Sequence, residues 1–139
     1  MSNHETASIR RLVAECIDSY EKLAIVVRLS RTRGAPQTAA ELAAASALPV
    51  ELVAEALTAL TRDGLVRSTE PNDGGWSIDP SGSRAATVDA LARLHDQTPV
   101  DVLRMMSEVA MERVRSLTAR RFADAFLVSV KKKKEDPDA

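Results

Sequence analysis

Apolar positions recur along this chain at helical spacing, interrupted where residues cap or break helices. Ile9, Leu12, Val13, Cys16 and Ile17 share one face, so residues 3–17 are predicted helical, with Ser2 and Glu5 at capping-box spacing. A second start, Asp18 with Glu21, precedes Leu23, Ala24, Val26, Val27 and Leu29. Either two helices meet near Asp18 or one long helix bends there. Gly34-Ala35-Pro36 closes the run.

Residues 38–79 carry the most telling pattern. Thr38 with Glu41 forms a capping box, and Leu42 anchors a short helix among small alanines. Leu48-Pro49 ends it, since proline lacks an amide and its ring suits the first turn of a new helix. Val50, Val53, Leu57 and Leu60, beside Ala56, then make a stripe of period 3.6, stopped by Asp63-Gly64. Residues 65–70 read as a strand, 71–75 as a turn, and 76–79 as a returning strand on which Trp76 anchors the hairpin to the domain.

Helix, turn, helix, hairpin is the order of a winged helix-turn-helix. With "ALTALTRDGLVRS…GGWSIDP" the chain resembles the bacterial winged helix-turn-helix transcriptional regulators, directly over about a third of its length. The resemblance implies a mostly α fold with a small two-stranded wing and additional N- and C-terminal helices. It also implies a non-enzymatic DNA-binding protein, a transcriptional regulator acting as a homodimer on duplex DNA.

The implied plan is an N-terminal helical arm over 1–18, the winged domain over 19–80, a helical extension over 81–130 and a disordered charged tail over 131–139. Within the extension, Asp79-Pro80 and Ser83 offer a start for a helix through Val88, Leu91 and Leu94 to about Asp96. Thr98-Pro99-Val100-Asp101 starts a longer one, on which Leu103, Met106, Ala110, Val114 and Leu117 recur at threes and fours. That stripe is the expected dimerisation face. Residues 118–130 suit either a helix or an extended segment.

Composition narrows the function. At 139 residues, 45% hydrophobic and 28% charged, one ordinary globular domain is expected. No apolar run approaches the ~20 residues of a membrane span and nothing resembles a signal peptide, so a cytoplasmic location is the default. The net charge of −1 gives no basic surplus, so a surface for nucleic acid must come from segregated charge. Lys131 to Lys134 form the one lysine run, a sequence-blind attraction for phosphate or a solubilising tail beside Glu135, Asp136 and Asp138.

Catalysis and metal binding find little support. Cys16 lies on an apolar stripe, His4 near the N-terminus, and His95 near a helix end where it can cap carbonyls. No CxxC, HExxH or calcium-loop spacing occurs, so neither a metal nor a cofactor is expected. Met105, Met106 and Met111 read as gap-fillers in a helix interface rather than the lining of a pocket.

The helix from Val50 to Arg62 separates two binding classes. By the resemblance it enters the major groove, and its outward residues would be Glu51, Leu52, Ala54, Glu55, Thr58 and Arg62. Arg31 and Arg33, with Arg28, close the preceding helix, while Arg67, with Arg84, flanks the wing. Yet the first two turns lack Arg, Lys, Asn and Gln, the side chains that read bases best, and carry two carboxylates. Duplex DNA bound weakly and with strong salt dependence is one expectation. A protein partner on the same acidic and apolar face is the other.

Overall fold

The computed structural model describes the backbone of residues 3–33, 35–69 and 74–135, and side chains as far as Val128. The Ser2 cap and the wing tip at 70–73 fall outside the described residues.

Two helices, not one bent helix, open the chain: α1 (Asn3–Cys16) and α2 (Tyr20–Arg31). The cap of α2 is Ser19, whose hydroxyl accepts from the Lys22 amide at 3.3 Å. Asp18, expected to cap, accepts instead from Lys22 Nζ at 2.7 Å. A side chain one position earlier is better placed for an ion pair one turn on than for the helix amides.

The strand β1 (Gln37–Thr38) leads into α3 (Ala39–Ser46). Thr38 Oγ1 accepts from the Glu41 amide at 3.1 Å and Glu41 Oε1 from the Thr38 amide at 3.2 Å, completing the predicted box. Ala47, at φ 55°, turns the chain in the left-handed conformation, and the Leu48 amide closes on Ala43 O at 3.0 Å. Helix α4 (Val50–Arg62) follows with Pro49 as its cap residue, one position before the expected proline start inside the helix. Gly64, at φ +80°, ends that region as anticipated.

The wing consists of β2 (Val66–Ser68) and β3 (Gly75–Ile78), antiparallel with Val66 opposite Ile78 and Ser68 opposite Trp76. The sheet has three strands rather than two, because β1 adds to the other side of β3, with Gln37 opposite Trp76. Two residues ahead of a helix cap show no alternation that could announce a strand. Gly75 suits this crowding: a Cβ there would come within 3.1 Å of Pro36 Cβ and Thr69 Oγ1.

The described core is wholly apolar, with Leu23, Ile25, Leu42, Leu57, Leu60 and Leu91 at its centre. Val50 is an exception to the predicted stripe, 42% exposed, since the first residue of α4 precedes the turns that meet α2 and α3. Helix α5 (Ala85–Gln97) buries Val88, Leu91 and Ala92. It begins later than Asp79 or Ser83, because Asp79 Oδ1 accepts from the Ser81 amide (3.0 Å) and hydroxyl (2.7 Å) and closes a turn.

The last element, α6 (Pro99–Glu135), is one continuous helix of 37 residues, roughly 55 Å long at 1.5 Å per residue. Residues 118–130 are therefore helical, and 131–135 continue the helix where a disordered tail was expected. Between Pro99 and Pro137 no glycine or proline interrupts the run, which is rich in alanine, leucine, arginine and lysine. Among its described side chains, those buried against the body lie in its first part: Val102, Met105 and Val109 are buried and Met106 is partly so, where α6 packs on α1 and α5.

Candidate nucleic-acid interface

Helix α4 turns Val53, Ala56, Leu57 and Leu60 inward. At about 100° per residue, Glu51, Ala54, Glu55, Thr58 and Arg62 fall on the opposite side, and all five are exposed. They form the outward face that the sequence pattern predicts. Leu52 stands apart from it, on the flank of α4 that faces the start of α2. The Thr58 hydroxyl donates to Ala54 O at 3.0 Å, which leaves its oxygen free to accept.

The basic groups around this face divide into two sets. Arg67 stands exposed on β2, beside a groove lined by Arg33, Pro36, Thr69 and Ser77. Arg62 is exposed and lies 4.0 Å from Asp63. Arg31 and Arg33, by contrast, are ion-paired with Asp96 and Asp89 of α5. Arg28 Nε donates to Gln37 Oε1 at 3.3 Å. Two of the arginines expected to favour DNA are thus partly neutralised by α5.

Arg84 does not flank the wing. It sits at the start of α5 against the end of α1, where it pairs with Glu15 and donates to Cys16 Sγ at 2.9 Å. Burial pushes the Cys16 thiol pKa up, against the pull of the Arg84 charge, so the thiolate that would be reactive is disfavoured. His95 Nδ1 is buried without a hydrogen-bond partner among the described residues, so that atom caps no carbonyl. Among those residues, no group of three or more His, Cys, Asp or Glu could hold a metal ion. No single described helix is long and apolar enough to cross a membrane.

Trp76 is half-buried and packs against the core. On α6 the expected dimer stripe splits. Met106 is partly buried within the chain, while Leu103, Ala110, Val114 and Leu117 are exposed. Sequence periodicity left two features unrecognised: a groove beside Leu52, and the exposure of Phe122, Phe126 and Leu127.

No protein-family model matches the chain, and no curated protein matches it. Among solved structures, a MarR family transcription regulator is similar at 22% identity over 86% of this chain and 82% of that one, with a TM-score of 0.49. ZitR of Lactococcus lactis, in the apo form of a mutant, is similar at 19% identity over 79% and 84%, with a TM-score of 0.47.

Proposed function

We propose that this chain is a winged-helix DNA-binding regulator, not an enzyme, acting as a homodimer. The observation that supports it best is the solvent-facing side of α4, with Glu51, Thr58 and Arg62 unobstructed and Arg67 exposed on the wing. A helix held this way against a three-helix core can enter the major groove while the wing meets the backbone. Affinity is expected to be weak and strongly salt-dependent, because Glu51 and Glu55 enter a negative potential and few cations compensate. Anisotropy of a labelled duplex at two salt concentrations tests this directly: binding that falls steeply with salt supports it, and none at low salt rejects it.

The dimer reading rests on α6, whose described apolar side chains from Val114 to Val128 are exposed. Burying one such side chain fully is worth about 1.5–3 kcal/mol, so a second copy has much to gain. Sedimentation of the full chain checks it; a monomer at tens of micromolar would remove it.

A second reading, an adaptor that binds protein and not DNA, draws on the same carboxylates and on exposed Val50 and Leu52. Capture of a partner lost on Glu51→Gln with Glu55→Gln, without DNA binding in either protein, would favour it.

A further inference from the structure

We propose that α4 selects cytosine: in the major groove, the carboxylates of Glu51 and Glu55 accept hydrogen bonds from cytosine amino groups and refuse guanine on the strand they contact. The inference rests on the DNA-binding reading and names the base edges that this helix reads.

At about 100° per residue, Glu51, Glu55, Thr58 and Arg62 fall within an arc of about 60°. The buried residues Val53, Ala56, Leu57 and Leu60 lie opposite. The four outward side chains therefore stand along the ridge of α4 farthest from the core. Arg62, the cation, comes last, in the final turn.

The hydrogen-bond chemistry of this ridge is one-sided. Ionised carboxylates accept and do not donate. Among the described residues, no side-chain bond ties down Glu51 or Glu55. Thr58 donates its hydroxyl hydrogen to Ala54 O at 3.0 Å, and Thr61 donates its own to Leu57 O at 2.7 Å. Each hydroxyl oxygen is left as an acceptor. The other side chains from Val50 to Thr61 are apolar. Ahead of Arg62, then, no side chain of α4 has a hydrogen left to give.

A ridge of acceptors discriminates among base edges. Guanine presents N7 and O6, both acceptors, and thymine presents O4 and a methyl group, so neither offers a carboxylate a donor. Adenine carries its donor, N6, beside the acceptor N7. Cytosine presents the N4 amino group with no acceptor of its own beside it, and suits glutamate best. Two charges that the groove otherwise repels find partners there. Glu51 and Glu55 are separated by about 6 Å along the helix axis, so the cytosines they read lie no more than about two base-pair steps apart.

Selection from a random duplex library with the full-length chain at about 50 mM salt, followed by anisotropy on the enriched site, tests the assignment. C·G pairs should be enriched, and replacing one by T·A should weaken binding at least about fivefold. Modified bases then identify the edge that is read. N4-methylcytosine blocks the major-groove hydrogen, whereas 7-deazaguanine removes the N7 acceptor, and both keep the base pair. The first should weaken binding by wild type and the second should not. Glu51→Ala with Glu55→Ala should bind other duplexes at least as tightly as wild type, yet lose the preference for cytosine. The assignment is overturned if wild type binds without that preference, if the alanine variant keeps it, or if 7-deazaguanine weakens binding and N4-methylcytosine does not. Each of those results would still leave a DNA-binding protein. Failure to bind any duplex would reject the regulator reading and this assignment with it.

Discussion

Arg31, the last residue of α2, donates to the carboxylate of Asp96 on α5, and two residues later Arg33 pairs with Asp89 in the same way. Helix α5 therefore holds two cations that a DNA backbone would otherwise compete for. All four side chains are substantially exposed, so the pairs contribute little stability. Asp89→Asn with Asp96→Asn should change unfolding free energy by less than about 1 kcal/mol. Duplex affinity at low salt should rise several-fold, with a salt slope steeper by as much as about two if both arginines find phosphates. Unchanged affinity and slope would place both arginines away from the DNA.

The reciprocal cap of Thr38 and Glu41 orients α3, an eight-residue helix that packs on α4 and pairs with it in the helix-turn-helix. Thr38→Ala should cost about 1 kcal/mol in urea unfolding. Thr38→Ser should cost much less, since the hydroxyl acceptor remains. Equal losses in the two would point to packing of the threonine methyl instead.

The central part of the fold was legible because its signals are local. The capping box, the stripe of Val53, Leu57 and Leu60 beside Ala56 (though not Val50, which is exposed) and the turn at Asp63-Gly64 each depend on residues within one or two turns of one another. What escaped depends on distant partners. β1 is a strand only because Trp76 and Gly75 lie opposite, and Arg84 meets Cys16 across 68 positions of sequence. On α6 the stripe read from the sequence, Leu103, Met106, Ala110, Val114 and Leu117, was assigned to a dimer, and the neighbouring stripe that packs on the body, Val102, Met105 and Val109, went unread. Both sets repeat at threes and fours, and periodicity alone cannot say which of two apolar stripes meets the body. The outward residues of α4 were readable from spacing, whereas the pairing of Arg31 and Arg33 with α5 was not.

Trp76 is half-buried against the core beside Ser68 and Gln37. Its fluorescence should be blue-shifted from that of free tryptophan, with partial protection from iodide. Emission and quenching equal to those of the free amino acid would detach it from the domain.

The Asp18 carboxyl titrates below its ordinary value, chiefly through its hydrogen bond from Lys22. A folded pKa below the unfolded one stabilises the fold above the unfolded value, and this contribution is lost as pH falls through the folded value. The stability gap between wild type and Lys22→Met should therefore shrink from about pH 6 to about pH 2. A gap independent of pH would assign the effect of Lys22 to packing of its chain.

The claim that α4 enters the major groove is tested most directly by duplex anisotropy at about 50 mM salt, comparing wild type with Glu51→Gln plus Glu55→Gln. Both carboxylates face outward and would lie against phosphates and base edges. Removing the charges should raise affinity, and the new amides can read adenine, while Arg67→Ala should lower it. If neither protein binds a duplex under these conditions, α4 is not a DNA-reading helix.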